Sequence, residues 1–218
     1  TLDAAVSPLP QARVLAVQGS VADPAVADRA VTEAVAKFGA VHGLVNNAGI
    51  IRPAMIDKMT DQQWQEVIDV HLTGSFYWMR ATGRHMVERS KGGERTGGSI
   101  VNISSMYGLI GGDIGNAAYV TSKWGVIGLT KTAAIDYGQQ GLRVNALCPG
   151  YCHSEMVDPY VEAEPELFKR IIDRHSAMNR LGESQEVADA IVWLLSGQSS
   201  FVNGAAIPIE GGEATRLY

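Results

Sequence analysis

Gly98-Ser-Ile-Val-Asn-Ile-Ser-Ser105 is the run whose reading decides the fold. Ser99 to Ile103 reads as a short apolar strand, and a pair of hydroxyls closes it. Similar runs recur on either side, at Val41 to Val45, Arg143 to Leu147 and Ala205 to Ile209, and Arg13 to Val17 is rich in valine and leucine. Helical patterns lie between them. Asp23-Pro24 opens one helix, with Ala27, Ala30, Val31, Ala34 and Phe38 on one face and Gly39 as its stop. Thr60 and Gln63 form a capping box at the head of a longer helix, whose apolar face holds Trp64, Val67, Ile68, Leu72, Phe76 and Met79. Asn116 to Gln139 is a third helix, and Ser184 caps a fourth carrying Val187, Ala190, Ile191, Leu194 and Leu195. Nearly continuous apolar strands that alternate with helices imply an α/β fold, a doubly wound parallel sheet covered on both faces.

Polar signals cluster where such strands end. Asn46-Asn47-Ala48-Gly49 follows Val41 to Val45, Ser104-Ser105 follows the opening run, and Pro149-Gly150 follows Arg143 to Leu147. Open α/β sheets bind ligands at the C-terminal ends of their strands. Tyr119 and Lys123 lie four residues apart on a helix and so share a face. A free phenol has a pKa of about 10 and is a poor base at neutral pH. A cation beside it favours phenolate, so the pair is expected to exchange a proton near neutrality. The Ser105 hydroxyl, at a strand end facing that pair, is placed to hold a carbonyl or alcohol oxygen.

Asn46-Asn47-Ala48-Gly49, Ser105, Tyr119, Lys123, Pro149-Gly150 and the tail Asn203-Gly204 to Gly211-Gly212 together resemble the short-chain dehydrogenase/reductase family, and the resemblance runs from about Arg13 to Gly212. It implies a Rossmann-type domain and an oxidoreductase passing hydride between NAD or NADP and a secondary alcohol or ketone. By that resemblance Tyr119 is the general acid/base, Lys123 lowers its pKa and holds the nicotinamide ribose, and Ser105, rather than Ser104, orients the substrate oxygen. Ser20, Val21, Asn46, Ala48, Gly49, Pro149, Gly150, Cys152 and Ser154 are the matching cofactor positions. The chain departs from the commonest pattern at three places. His71 stands where asparagine is usual in Val70-His71-Leu72-Thr73-Gly74. Its backbone carbonyl can still serve a proton relay, and a titrating imidazole there adds a pH dependence; a histidine bonded into a helix kink is the structural alternative. Ser20 replaces an aspartate at the adenine, and Cys152 and Ser154 replace an aliphatic residue and a threonine. The competing reading is a non-catalytic chain that only associates with partner subunits.

The 218 residues fit one domain, 1–218, with 152–175 as a substrate-loop region that is long and acidic at Glu162, Glu164 and Glu166. Apolar residues make up 46% and charged residues 19%, as in globular chains. A net charge of −5 without basic runs gives no sign of nucleic acid or an anionic membrane as partner. There is no long apolar span. Cys148 and Cys152 lack paired histidines, so a zinc site is not expected; reduced thiols and a cytoplasmic setting are. Lys91 to Gly98 reads as a polar surface loop. On the Tyr119 helix, Thr121, Gly125, Gly128 and Thr132 form a small-residue stripe. With the resemblance it implies a homotetramer or homodimer built on Thr60–Arg84 and Asn116–Gln139.

A dinucleotide-binding fold opens with a strand, a glycine-rich turn and a helix that seats the pyrophosphate. No such pattern precedes Arg13. The family's strand order, 3-2-1-4-5-6-7, makes Arg13 to Val17 the third strand. The expectation is therefore a domain lacking its first two βα units, roughly 40–50 residues, and binding dinucleotide weakly in this form.

Overall fold

The computed structural model describes Pro10, residues 13–92 and residues 97–215. Four parallel strands form its sheet in the order β1-β2-β3-β4: β1 is Gly43–Asn46, β2 Gly98–Ile103, β3 Leu142–Pro149 and β4 Ala206–Ile209. Parallel neighbours need crossovers. Helices supply them: α1 (Pro24–Phe38) precedes β1, α2 (Asp61–Ile68) and α3 (Gly74–Lys91) lead to β2, α4 (Ala117–Gly138) joins β2 to β3, and α5 (Asp158–Ala163), α6 (Pro165–His175) and α7 (Ser184–Leu195) precede β4. The register sets Asn46, Asn102, Ala146 and Ala206 in one row across the sheet. One side of the sheet packs Ile100, Leu142 and Val144 against Met79, Met86, Ala133 and Ala134. The other packs Val101 and Leu147 against Leu194 and its neighbours on α7.

The cap signals translate into structure. Asp23 caps α1 by accepting from the Ala25 N–H, and Gly39 closes it at φ 86°. Thr60 and Gln63 form the expected reciprocal box. Glu183, not Ser184, caps α7, because Glu186 returns a bond to the Glu183 N–H and completes a box one residue earlier. Between α2 and α3 the helix loosens into a π-helical turn, Asp69–Thr73, centred on His71. Phe38, Trp64 and Phe76, expected on apolar inner faces, are among the exposed large side chains.

Arg13 to Val17 is not a strand. A strand needs a neighbour to satisfy its backbone. Here the Val14 carbonyl accepts from Lys37 Nζ at 2.7 Å and the Gln18 carbonyl from Arg29 at 2.7 Å, so side chains of α1 hold the segment instead. β1 is accordingly an edge strand. The segment expected as a loop is partly helix, since α3 runs to Lys91, and its residues 93–96 lie outside the described residues.

Candidate active site

β2 carries the site to the top of the sheet. Beyond Ile103 the chain turns, and the two serines diverge in role. Ser104 donates to the Lys123 carbonyl at 2.9 Å and pins α4 to the strand end. Ser105, in extended backbone, begins a short 3₁₀ turn, Met106–Gly108, and accepts from the Tyr107 N–H at 3.1 Å. Its hydroxyl also acts on the Tyr119 phenol, favouring the charged form. Lys123 lies one helical turn beyond Tyr119, 5% exposed, and its Nζ donates to the Ile103 carbonyl at 2.9 Å, 5.4 Å from the Tyr119 ring centroid. The structure thus brings Ser105, Tyr119 and Lys123 together.

The electrostatics differ from the expectation. Burial pushes the Tyr119 phenol up, and the Ser105 hydroxyl only partly offsets this. Burial lowers Lys123 to about 8. A low-dielectric site disfavours both charged forms, so the lysine does not by itself bring the phenol toward neutrality.

His71 is bonded into the kink. Its Nε2 accepts from the Ile50 N–H at 2.9 Å, so Nδ1 carries the proton and meets Ser122 Oγ at 2.8 Å. Ser122 in turn donates to the Tyr119 carbonyl at 2.7 Å. The ring stands edge-on to Tyr119, with centroids 5.3 Å apart. Burial first, and the charge on Lys123 second, hold the imidazole down at about 3. The expected titration near neutrality is therefore replaced by a fixed neutral ring.

Of the cofactor positions, Val21, Asn46 and Ala48 line a cleft of about 150 Å³ beside Gly74, where a Cβ would lie 3.2 Å from the Val21 carbonyl. A Cβ on Gly49 would lie 3.2 Å from His71 Nε2. The Asn46 amide is spent on structure, donating to Asn102 Oδ1 at 2.8 Å. Ser20 accepts from the Ala22 N–H at 3.2 Å and is exposed. Pro149 ends β3, and the Gly150 N–H donates to the Ile209 carbonyl at 3.1 Å. Cys152 forms an isolated bridge with Gly182, while Ser154 accepts from the Val157 N–H at 3.2 Å. Both thiols are free, and burial raises both, Cys148 to about 11. Among the described residues no three His, Cys, Asp or Glu side chains gather as metal ligands, and no helix is long and apolar enough to cross a membrane.

Ser105 and Tyr119 open onto a cavity of about 270 Å³. The 152–175 segment, helical from Asp158 onward apart from Glu164, lines it with Met156, Val157, Tyr160 and Phe168. Several contributors escaped sequence reasoning. Asn102, fully buried, links Asn46 to Thr130 Oγ1 at 2.9 Å. Tyr107 and Tyr151 both reach Asp113 Oδ2, at 2.5 and 2.7 Å. Asn102 sits inside the quoted strand, where an asparagine among Val101 and Ile103 was the available signal. The tyrosine–aspartate group is completed by Tyr151, 38 residues beyond Asp113 and so beyond the reach of any local signal.

Known proteins place this arrangement. A family model described as enoyl-(acyl carrier protein) reductase matches residues 2–213. The 3-oxoacyl-(acyl-carrier-protein) reductase FabG of Staphylococcus aureus is 36% identical over 198 residues, 90% of this chain and 76% of that protein. The trans-4-hydroxycyclohexanecarboxylate dehydrogenase of Sinomonas cyclohexanicum is 40% identical over 184 residues, 84% of this chain and 64% of its own length. A gluconate 5-dehydrogenase from Burkholderia cenocepacia, solved in complex with NADP and tartrate, superposes with a TM-score of 0.84 at 32% identity over 91% of this chain and 74% of that one. With that likeness in sequence and in fold, the chain belongs to the short-chain dehydrogenase/reductase family of oxidoreductases.

Proposed function

We propose that this chain interconverts a secondary alcohol and a ketone with NAD or NADP, using Ser105, Tyr119 and Lys123. The observation that carries the reading is the Ser105–Tyr119 hydroxyl pair facing the cavity, with the Lys123 ammonium buried one turn behind. NADP bound to the gluconate dehydrogenase supports the choice of cofactor class. The residues present leave it room. Ala48 and Gly49 follow β1, and Val21, Asn46 and Ala48 line a cleft of about 150 Å³ beside Gly74. When bound, the nicotinamide gives or takes the hydride.

Ser105 holds the substrate oxygen by hydrogen bonding. The Tyr119 phenol, protonated in this environment, delivers its proton to a carbonyl oxygen. The reverse step needs phenolate, which charge on Lys123 favours. His71 is a positioning residue: through Ser122 it fixes the turn of α4 that carries Tyr119. Ser20, Val21, Cys152 and Ser154 are proposed cofactor neighbours by family position.

Assembly belongs to the same reading. Gly125 packs within the subunit, since a Cβ there would meet Leu72 at 2.9 Å, but a Cβ on Gly128 would meet nothing. Gly128 lies between Trp124, 51% exposed, and Ile135, 78% exposed. A second copy covering this face makes a dimer or tetramer, and light scattering at micromolar concentration should read at least two chains.

The test is a panel of secondary alcohols and ketones with each nucleotide. Turnover is expected, and Lys123→Ala should move the alkaline limb of oxidation to higher pH. An unchanged profile would remove the electrostatic role of Lys123; no turnover with any pair would overturn the function.

A further inference from the structure

The far wall of the cavity is polar in one sense only. Tyr107 and Tyr151 line it, their hydroxyls 2.9 Å apart. Each phenol has one proton to give. Both hydroxyls reach one oxygen of Asp113 and each also reaches the other, so both protons are used inside the group. Toward the cavity the phenols therefore present lone pairs and no spare donor. More acid lies behind them. Glu213, 1% exposed, has neither carboxylate oxygen partnered among the described residues, and a Cβ on Gly150, in the cavity lining, would meet it directly. Glu210 is beside it. No Lys, Arg or His lines the cavity among the described residues, and Lys123 is turned to the Ile103 carbonyl. Beyond Ser105 and Tyr119, the rest of the lining is largely apolar, including Ile51, Pro53, Met106 and Ile114, and its other polar members, Asn116 and Tyr160, belong to other elements than the Tyr107–Tyr151 wall.

We propose that the Tyr107–Asp113–Tyr151 group is the specificity site of this enzyme, taking an uncharged, largely apolar alcohol or ketone that carries a second hydroxyl or N–H donor, and rejecting carboxylates. This rests on the proposed function. A donor on the substrate completes the phenol lone pairs. At the Tyr107–Tyr151 wall a carboxylate meets acceptors, with like charge behind them, and finds no donor there for its own lone pairs.

The full chain is assayed with NAD and NADP on cyclohexanol, the cyclohexanediols, hydroxycyclohexanecarboxylate and its methyl ester. In kcat/KM the best diol should exceed cyclohexanol, and the ester should exceed the acid, each by about tenfold or more. Asp113→Asn should collapse the ester-to-acid ratio, and Tyr151→Phe the diol-to-cyclohexanol ratio. Acid and ester turned over alike, or ratios unmoved by both variants, would overturn the proposal while leaving the dehydrogenase reading intact. If no compound is turned over, that reading fails instead, and saturation-transfer NMR of the same compounds decides the site. Diol and ester signals that fade in Tyr151→Phe support it, and equal signals from acid and ester refute it.

Discussion

Around His71 the polar atoms are satisfied, and around Glu213 they are not. His71 uses both ring nitrogens, its carbonyl accepts from Ser75 Oγ at 2.6 Å, and Ser122 passes the chain on to Tyr119. The neighbouring Asn46–Asn102–Thr130 chain is closed in the same way, with Thr130 donating to the Val126 carbonyl. Glu213 keeps a buried carboxyl without a partner among the described residues, next to a cavity wall that accepts and does not donate. Saturated neutral networks rigidify a fold, whereas an unpaired buried polar group carries a free-energy penalty that a ligand or a proton can relieve. Under the proposed function, the difference separates the half of the site that would position the reacting atoms from the half that would select what reaches them.

The comparison breaks first at the reacting atoms. Tyr119→Phe removes only a hydroxyl, so the fold should persist while kcat falls about a thousandfold, within the range of general acid–base catalysis. Activity above about a tenth of the original, a loss under roughly 1.4 kcal/mol, would take Tyr119 out of that role.

Next in size is the closed network. Asn102→Leu leaves the Asn46 amide and the Thr130 hydroxyl without their partner in a fully buried row. The expected cost is about 2–4 kcal/mol in denaturant unfolding. A cost below roughly 1 kcal/mol would show that the network is not what ties β1 to β2.

The smallest and sharpest contrast is in pH. Burial, then the charge of Glu210, raises Glu213 to about 7. A carboxyl raised in the fold binds more protons folded than unfolded, so it withdraws stability as pH climbs from about 4.5 through 7. Glu213→Gln should gain up to about 3 kcal/mol above pH 7 and nothing below pH 4.5. His71, held at about 3, works in the other direction. Its neutral ring contributes full stability above the unfolded value near 6.5 and loses it as pH falls toward 3, at up to about 1.4 kcal/mol per pH unit. His71→Asn should flatten that acid limb. Melting temperatures from pH 4 to 8 read both variants, and parallel curves for either would remove the assigned charge state.

Much of the site was legible because its signals are local. An i, i+4 pair on a helix must share a face, a strand must end where its apolar run ends, and a capping box announces its own helix. Hence Tyr119 and Lys123 could be paired from spacing alone, Ser105 joined them by its strand end and the family resemblance, and β2, β3 and α4 fall within a residue or two of their expected bounds. Arg13 to Val17 shows the limit of such reading: valine and leucine favour a strand, but pairing partners create one, and here α1 side chains hold the backbone instead.

The sequence by itself determined the alternation of strands and helices, the strand ends where polar residues gather, and the family. Periodicity and motif spacing are properties of neighbouring residues. Only the tertiary structure decided the charge states and the character of the cavity. Tyr119 is raised, Lys123 and His71 are lowered, and the Tyr107 and Tyr151 phenols of the cavity wall gather on Asp113. Desolvation depends on what folds over a group, and Tyr151 joins Tyr107 and Asp113 from 38 residues beyond the aspartate. Neither exists until the sheet, α4 and the covering helices have closed around the same space.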